Sequence, residues 1–434
     1  MGIKSILSKR SALRSKNDQV TNAAQLTLRQ SLWPLTIVTL LFFLWGFAYG
    51  LLDTLNKHFQ NTLGITRTRS SGLQAAYFGA YPLASLGYAN WMLRHYGYKS
   101  VFIFGLCLYG IGALWLGSLE TAANPYLAVC GPPKYAELRI NFAQAFNAIG
   151  TVVGPVLGSY AFFTTASDDL AALRRVQWVY LAIGIFVFVL AGVFFVSNIP
   201  EVTDADMEFQ VAETHIEGNE KSFWKRYQLF HAAAAQFFYT GGQVAIASFF
   251  INYAVETRPG TSNSTGANFL AGAQGAFAVG RFSGTFFMKF VRPRWVFLVY
   301  LTGVIIFLAA STTQGGDIGI VLFFESVCFP TIVALGIRGL GRHYKRGSGW
   351  IVGGVCGGAA IPPLLGHVAD LRGNTGFAMV VPTIVMVIAW SYALAVNFVP
   401  SYRDPADKIG DSGIGIVSER SDEEKGPELN KEVQ

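Results

Sequence analysis

A single acidic residue interrupts a long apolar part of this sequence, at residues 117–126, which read Gly117-Ser118-Leu119-Glu120-Thr121-Ala122-Ala123-Asn124-Pro125-Tyr126. Apolar runs flank Glu120 on both sides, at residues 101–116 and 126–130. An ionisable group at membrane depth is costly to bury, so by default it marks a substrate or ion pathway. We expect the rest of the chain to surround Glu120 and a second carboxylate, Asp53.

The composition is that of a helical membrane protein with many spans. Of the 434 residues, 52% are hydrophobic and only 14% are charged, whereas soluble domains carry about 25% charged residues. Apolar runs of about 18 residues or more, long enough to cross a bilayer, recur between short polar loops. The four cysteines all lie in apolar runs without metal or disulfide spacing, and residues 1–30 lack the apolar core of a signal peptide.

The apolar runs form two groups of six, separated by a polar, acidic stretch. The first group is predicted at residues 32–56, 71–93, 101–116, 117–130, 139–163 and 176–197. The second is predicted at residues 226–255, 264–289, 295–313, 317–340, 347–366 and 375–398. We therefore expect an N-terminal tail (1–30), a first six-helix bundle (31–197), a linker (198–224), a second six-helix bundle (225–398) and a C-terminal tail (399–434). The tail from Ser401 is polar and acidic, which predicts disorder.

The basic residues predict the orientation of these spans. With the N-terminus in the cytoplasm, 25 of the 33 lysines and arginines fall on the cytoplasmic side, as the positive-inside rule requires. The net charge of +7 thus belongs to loops at span ends and not to a nucleic-acid surface. Twelve crossings with both termini cytoplasmic satisfy the pattern, and we expect the plasma membrane. The sequon at Asn263 then lies outside, which makes Asn263 a candidate glycosylation site.

Residues 101–130 are too few for the two crossings that this orientation requires. They number 30, whereas two spans need about 40 residues. We expect that part of spans three and four is missing from this chain, through a skipped exon or a faulty gene model.

The two groups of spans carry a repeated motif. Glu120 stands five residues before Pro125, and Glu325 stands five residues before Pro330. About 30 residues after each proline comes a Pro-x-Leu-Gly element preceded by two glycines four apart, a spacing that lets helices pack closely. The residues predicted to break or pack helices are Pro125, Gly150, Gly154, Pro155, Pro330, Gly354 and Gly358. Two repeated six-helix halves resemble the plan of the major facilitator superfamily, in which substrate binds between the halves.

A more specific resemblance rests on residues 43–48 (Phe-Leu-Trp-Gly-Phe-Ala) with Asp53 and Asn56, on residues 119–126, and on residues 139–150. These look like the fucose permease family of sugar:proton symporters. The resemblance covers residues of about 32–400, and the linker and tails look like those of fungal members. It implies proton-coupled uptake of L-fucose or a related hexose by alternating access, with the proton gradient as driving force and no cofactor. Glu325 departs from the family, where an uncharged polar residue is expected.

Two carboxylates are the candidates for proton coupling. A carboxylate in a dry cavity can be protonated and then released as the cavity opens to either side, and the resemblance implies this role for Asp53. For Glu120 it implies a sugar-hydroxyl acceptor coupled to protonation. The alternatives are an Asp53 paired with Lys57 near the outer interface and a Glu120 that is a structural hydrogen-bond acceptor.

Amide side chains are the candidates for sugar binding, because an amide both donates and accepts hydrogen bonds. In span five, a helix places Asn141, Gln144, Asn147 and Thr151 within an arc of about 120°. Hydrogen bonding between helices is the alternative role for each of them. Gln144 and Asn147 match the family motif and are predicted to bind substrate, as are Asn56, Glu120, Tyr239 and Gln243, with Glu325 and Asn252 as additional candidates.

Three classes of function fit a polytopic membrane protein, and the sequence favours the first. A secondary transporter agrees with the carboxylates, the amides and the absence of a phosphate-binding Gly-Lys-Ser/Thr loop. A membrane enzyme would need a metal cluster or a nucleophile–base pair, which the sequence lacks, so we predict no enzymatic activity and no metal. A non-transporting nutrient sensor or an inactive truncated isoform of the same fold is the alternative. The expected partners are sugar, proton and lipid bilayer, with no nucleic acid, around a monomer.

Overall fold

The structure, a computed structural model, describes residues 21, 26–111, 116–162, 170–213, 222–314 and 318–411. Within these ranges, the side chains of residues 51–59, 61–63, 73, 109–111, 116–118, 155, 157–162, 170–177, 179–180, 209, 213, 313–314 and 410 are not described. Every regular element in the described ranges is a helix.

In the described part of the first half, the chain forms seven helices, joined by short π-helical and 3₁₀ segments. They are α1 (Leu28–Leu63), α2 (Arg67–Ser70), α3 (Gly72–Gly79), a π-helical segment (Leu83–Tyr88), α4 (Ala89–Ile111), α5 (Leu116–Val129), a 3₁₀ turn (Pro133–Tyr135), α6 (Ala136–Phe162) and α7 (Leu170–Val196). The linker contains α8 (Asp204–Glu213) and a 3₁₀ turn (Phe223–Lys225).

Ten helices form in the second half as far as it is described, up to residue 411. They are α9 (Tyr227–Thr257), α10 (Asn263–Phe287), α11 (Pro293–Gln314), α12 (Gly319–Glu325), α13 (Cys328–Ile337), a 3₁₀ turn (Gly341–His343), α14 (Tyr344–Gly353), a 3₁₀ turn (Gly354–Cys356), α15 (Gly357–Arg372), α16 (Thr375–Ala378), α17 (Val380–Phe398) and α18 (Pro400–Gly410).

Five stretches of the described residues are long and apolar enough to cross a membrane, judged by length and composition alone. They are Leu28–Gly50, Pro293–Thr312, Gly319–Ile337, Gly341–Arg372 and Thr375–Phe398. Other long helices carry polar side chains within their buried faces, such as Gln144 on α6, Gln236 on α9 and Gln274 on α10. These side chains lower the mean hydropathy of their helices and mark a polar interior between the halves.

Glycine allows α1 and α6 to pack closely along their length. A Cβ atom on Gly46 would lie 1.8 Å from the backbone oxygen of Asn147, and one on Gly150 would lie 2.3 Å from that of Phe43. Both distances are far inside van der Waals contact, so only glycine fits. Gly354 and Gly358 are comparable: their Cβ atoms would lie 2.5 Å from the Ala233 oxygen and 2.7 Å from the Phe78 ring.

The prolines of the repeated motif differ in their effect on the helices. Pro125 lies inside α5, which continues to Val129, so the predicted helix break does not occur there. Pro330 lies near the start of α13, after a turn at Ser326 that separates α13 from α12. Gly154 is buried, and α6 continues through Pro155, whose side chain lies outside the described part of the structure.

The hairpin formed by α4 and α5 is short. Gly97 turns the chain inside α4 with φ of 79°, a left-handed conformation that glycine adopts readily. Beyond this turn the described part of α4 ends at Ile111, and α5 as described has 14 residues, about 21 Å at 1.5 Å per residue. The hydrocarbon core of a bilayer is about 30 Å thick. The described parts of both helices agree with the shortness predicted for residues 101–130, while residues 112–115 lie outside the described part of the chain.

The C-terminal tail begins with a helix, so the disorder predicted from Ser401 is wrong as far as residue 411; residues 412–434 lie outside the described part of the structure. Ala406 and Ile409, three positions apart, are buried on one face of α18. On another face, Asp407 forms ion pairs with Arg292 and Arg294 at the start of α11. A short amphipathic segment with a charge partner thus orders residues that composition alone assigns to a disordered tail.

Contacts join the two halves at the end of the bundle where the linker lies, which we call the linker end. The Asn90 amide donates to the backbone oxygen of Lys345 at 2.8 Å. The Tyr344 hydroxyl donates to the backbone oxygen of Pro125. Glu137 on α6 forms a buried ion pair with Arg338 from the second half.

A separate set of contacts joins the halves at the opposite end. The Asn252 amide donates to Gln60 Oε1 at 3.0 Å, and Thr68 Oγ1 donates to Asp370 Oδ2 at 2.7 Å. Arg67 forms an ion pair with Glu256. The halves therefore meet at both ends, and any space between them lies in the interior.

Candidate functional site

A cavity lies between the two halves, and both contribute side chains to its wall. Its polar lining consists of Glu120, Gln144, Asn147, Thr151, Thr240, Gln243, Gln274, Arg281 and Glu325. Its aromatic lining consists of Trp45, Tyr49, Tyr77, Phe78, Tyr81, Phe277 and Phe329. Such a mixture of aromatic faces with a few convergent polar groups is typical of a small-molecule site.

Glu120 is the carboxylate that the first half presents to this cavity. It lies on α5 and is 8% exposed. Its Oε1 atom accepts a hydrogen bond from Asn124 Nδ2 at 3.2 Å, one helical turn along the same face, and Tyr81 also hydrogen-bonds to the carboxyl. Among the described residues, no Lys, Arg or His forms an ion pair with Glu120. A buried carboxylate without a cation is costly when charged, and a proton removes that cost.

A chain of hydrogen bonds leads from Glu120 to the second half. After the Asn124 contact, Gln144 Nε2 donates to Asn124 Oδ1 at 3.2 Å. Arg281 Nη1 then donates to Gln144 Oε1 at 3.0 Å. Each amide donates at one side and accepts at the other, which is the arrangement that its two polar atoms allow. Glu120 is thereby linked through two amides to the cation on α10.

Arg281 is held by acceptors from both halves. Its side chain is buried, with Nε donating to the Ser326 backbone oxygen at 2.6 Å and Nη1 to the Gln144 backbone oxygen at 2.7 Å. Asn147 Oδ1 lies at 3.5 Å from Nη1. The guanidinium carbon lies 4.4 Å from the centre of the Phe277 ring, a cation–π contact. Arg281 thus ties α6 to α10.

Arg281 and Asn124 were not among the site residues predicted from the sequence. The signal for Arg281 was present, since a lone arginine inside an apolar span is a functional candidate by default. Asn124 lies in the quoted stretch around Glu120, four residues after it, which on a helix places both side chains on one face. That spacing was sufficient to propose the contact.

The amides of α6 differ in what they contact. Gln144 and Asn147, both predicted substrate ligands, line the cavity. Asn147 also donates to the Phe42 backbone oxygen at 3.0 Å, so it holds α6 against α1. Asn141 lies outside the cavity wall and donates to Thr331 Oγ1 at 3.3 Å across the halves. Asn141 therefore follows the alternative, hydrogen bonding between helices, while Gln144 and Asn147 face the cavity.

The candidates on α9 are separated by their positions along the helix. Gln243 lines the cavity. Tyr239 is fully buried beside it, and its hydroxyl donates to the Glu325 backbone oxygen at 2.6 Å. Asn252 contacts Gln60 at the opposite end instead of the cavity. Nine residues of helix separate Asn252 from Gln243, or about 13 Å, so Asn252 is corrected from a substrate ligand to a contact between the halves.

Two further groups of predicted residues are placed only in part. Asp53 and Asn56 lie on α1, but their side chains are outside the described part of the structure. Asn263, the glycosylation candidate, is the first residue of α10 and follows the capping residue Ser262, at the end opposite the linker. Within the described ranges, no cluster of three or more His, Cys, Asp or Glu side chains could hold a metal ion.

A carboxylate from the linker contacts both halves at the linker end. Glu201 Oε2 accepts from the Tyr98 backbone N–H at 2.8 Å, and Glu201 Oε1 lies 3.8 Å from Nζ of the buried Lys345. Burial raises the pKa of Glu201 to about 7, and the Lys345 ammonium offsets part of that rise. The group therefore titrates in the physiological range.

Protonation of Glu201 is expected to favour this closed linker end. The carboxyl binds a proton more tightly here than it would facing water, where its pKa is about 4.5. Lowering the pH from about 7 towards 4.5 should therefore shift the equilibrium towards closure, by up to about tenfold per pH unit. Distances between the linker ends of the two halves, measured with paired spin labels, would follow this shift.

The Glu201→Gln variant should lose this pH response, because glutamine does not titrate. Glu208→Gln is the matched control, since Glu208 is an exposed carboxylate on α8 in the same linker. A Glu201→Gln protein that retains the full pH response of the spin-label distances would contradict the assignment.

Comparisons with known proteins agree with this architecture. The family model described as Major Facilitator Superfamily matches residues 38–363. The L-fucose-proton symporter of Escherichia coli is 29% identical, with 84% of this chain and 93% of the relative aligned. A glucose/galactose transporter of Brucella abortus is 32% identical, with 79% of this chain and 89% of the relative aligned.

A solved structure shows the same fold. The crystal structure of the E. coli transporter FucP in the outward conformation superimposes with a TM-score of 0.69 and 29% identity. The match covers 84% of this chain and 98% of that one. The fold that surrounds the cavity is therefore the fold of FucP over almost the whole length of that protein.

Proposed function

The chain belongs to the major facilitator superfamily, and on that premise we propose that it is a symporter that couples proton entry to uptake of L-fucose or a related hexose. It is an integral membrane protein of a transporter family, and we propose that it has no enzymatic activity and needs no cofactor. The relatives named as an L-fucose-proton symporter and a glucose/galactose transporter support this substrate class.

The observation that carries the proposal is the position of Glu120. Its carboxyl is buried at the cavity without a cation partner among the described residues. It also begins the hydrogen-bond chain that ends at Arg281 in the other half. A proton on Glu120 changes the charge at one end of this series of hydrogen bonds. Arg281, at the other end, lies where the two halves meet.

The cavity lining suits a sugar. Hydroxyl groups both donate and accept, and the amides of Gln144, Asn147 and Gln243 can match either role. Trp45 Nε1 is buried and has no hydrogen-bond partner among the described residues, so it offers a further donor. The aromatic rings of the lining provide apolar faces for the ring carbons.

Alternating access would follow from rocking of the bundles 31–197 and 225–398 about this cavity. Contacts such as Asn90–Lys345 would open at the linker end, and contacts such as Thr68–Asp370 at the other. Binding of proton and sugar together would neutralise Glu120 and fill the polar lining, which lowers the cost of closing the cavity. The proton gradient supplies the driving force.

We further propose the orientation and setting of the transporter. The linker end is cytoplasmic, since Arg94, Lys99 and Arg342 lie there, as the positive-inside rule requires. Both termini are then cytoplasmic, Asn263 is external, and the protein acts as a monomer in the plasma membrane.

Labelled hexose uptake into cells that express the protein tests this function. We expect accumulation when the outside is acidic and collapse of that accumulation when a protonophore is added. Binding of sugar without uptake would instead indicate a sensor, and uptake that is insensitive to the protonophore would contradict proton coupling.

A further inference from the structure

The second half places its own carboxyl in the cavity, at the position that repeats Glu120. Glu325 precedes Pro330 by the same five residues that separate Glu120 from Pro125. It is the last residue of α12, where the chain turns before α13. Glu120 and Glu325 both line the same cavity, so the repeat brings two carboxyl groups to one site, one from each half.

No hydrogen-bond donor reaches the Oε1 atom of Glu325 from the part of the chain that the structure describes. The residue is 1% exposed, and its Oε1 atom has no partner among the described residues. The Tyr239 hydroxyl lies close, but it donates to the backbone oxygen of Glu325 and not to the carboxyl. Buried polar atoms almost always have a partner, and an orphaned acceptor at a cavity wall is a place for a ligand donor.

The nearest candidates do not supply that donor. Arg281 directs Nε to the Ser326 backbone oxygen and Nη1 to Gln144, and it forms no ion pair with Glu325 within the described chain. Cys328 donates its thiol to the Phe324 backbone oxygen. The carboxyl of Glu325 is therefore left facing the space that the substrate would occupy.

We propose that the Glu325 carboxyl accepts a hydrogen bond from one sugar hydroxyl and so determines which hydroxyl pattern the transporter selects. This inference rests on the proposed function, because it assumes that the cavity binds a hexose. A hydroxyl bound by Glu325 and others bound by Glu120, Gln144 and Asn147 would make the sugar a bridge between the halves. A site built to bond a hydroxyl rejects an analogue that lacks it, since its own buried acceptor is then left unpaired.

Competition by deoxy sugars tests the inference on the reconstituted full chain. The inhibition constant of each monodeoxy analogue of the best hexose is measured against uptake of that labelled hexose. Wild type should show a penalty of about 10- to 100-fold for the analogue that lacks the Glu325-bound hydroxyl. Glu325→Ala should remove that penalty at this one position and leave those at other positions, and the nearly isosteric Glu325→Gln should reduce it.

Glu256→Gln provides the matched control. Glu256 is a carboxylate of the second half that pairs with Arg67 at the opposite end, outside the cavity lining. Loss of the Glu256 carboxylate should change uptake rates and leave the relative inhibition constants of the deoxy analogues unchanged.

The inference is overturned if both Glu325 variants keep the wild-type inhibition constant of every deoxy analogue relative to the parent hexose. It is also overturned if these relative inhibition constants all change together. Wild type that binds none of the hexoses would overturn the proposed function as well. The two failures are distinct, because the first occurs in a working sugar transporter.

Discussion

Glu120→Gln is expected to abolish accumulation of sugar against a gradient while sugar exchange across the membrane continues. Glutamine has nearly the shape of glutamate, and its carbonyl can still accept from Asn124 Nδ2. It does not titrate in this pH range, so the return of the empty transporter is no longer tied to proton release. Accumulation and counterflow of labelled sugar in proteoliposomes, measured on the same preparation, separate the two activities.

Glu256→Gln serves as the control for this prediction as well. It also replaces a carboxylate by an amide, but at a position outside the cavity, so accumulation should persist. If Glu120→Gln concentrated sugar as wild type does, Glu120 would not be the coupling residue.

Arg281→Met is expected to lower uptake by about 10- to 100-fold at equal surface expression. The substitution removes a buried cation and leaves the Ser326 oxygen and Gln144 Oε1 without their donor. Hydrogen bonds to charged groups contribute about 1.5–3 kcal/mol, and each 1.4 kcal/mol is about tenfold in an equilibrium. Vmax and KM for labelled sugar, normalised to the protein at the surface, check the result.

Arg281→Lys distinguishes the role of charge from that of geometry. A lysine ammonium keeps the charge but lacks the planar fork that lets Arg281 reach Ser326 on one side and Gln144 on the other. We expect a loss of at least about tenfold in this variant too. Full activity in Arg281→Lys would show that the cation alone suffices and that the contact between α6 and α10 is dispensable.

The fold could be predicted from the sequence because its determinants are local or periodic. Apolar runs, basic loop residues and the repeated Glu-x4-Pro element each act within one span or recur at fixed spacing. The predicted fold class, an all-α membrane protein of the major facilitator type, and its family are confirmed by the family model and by the FucP structure. The spacing of Gly150 and Gly154 likewise predicts a packing face within one span, and Gly150 does pack against Phe43 of α1.

The connections within the site could be predicted only where they lie on one helix. Glu120 and Asn124 are four residues apart, so their contact was open to sequence reasoning. The contact between Gln144 and Arg281 joins residues that are 137 positions apart. A sequence pattern within one span cannot predict a contact between two spans. Asn252 was misplaced for a related reason: its residue type suited a sugar, but its height along α9 puts it beyond the cavity.

The C-terminal helix α18 was not predicted for the same reason, because its stabilising partners are distant in sequence. Its composition is polar, and α18 is stabilised by partners that the local sequence does not contain, namely Arg292 and Arg294 at the start of α11. Only the burial of Ala406 and Ile409 has a local signature, and two residues are too few to predict a helix.

The central claim is that proton and sugar move together through a cavity in which Glu120 binds the proton. The most direct test adds sugar to proteoliposomes that contain a trapped pH-sensitive dye, with no gradient imposed beforehand. The account predicts that sugar entry acidifies the lumen in wild type, and that Glu120→Gln admits sugar without acidification. Labelled sugar that enters through wild type while the internal pH stays constant would contradict the account.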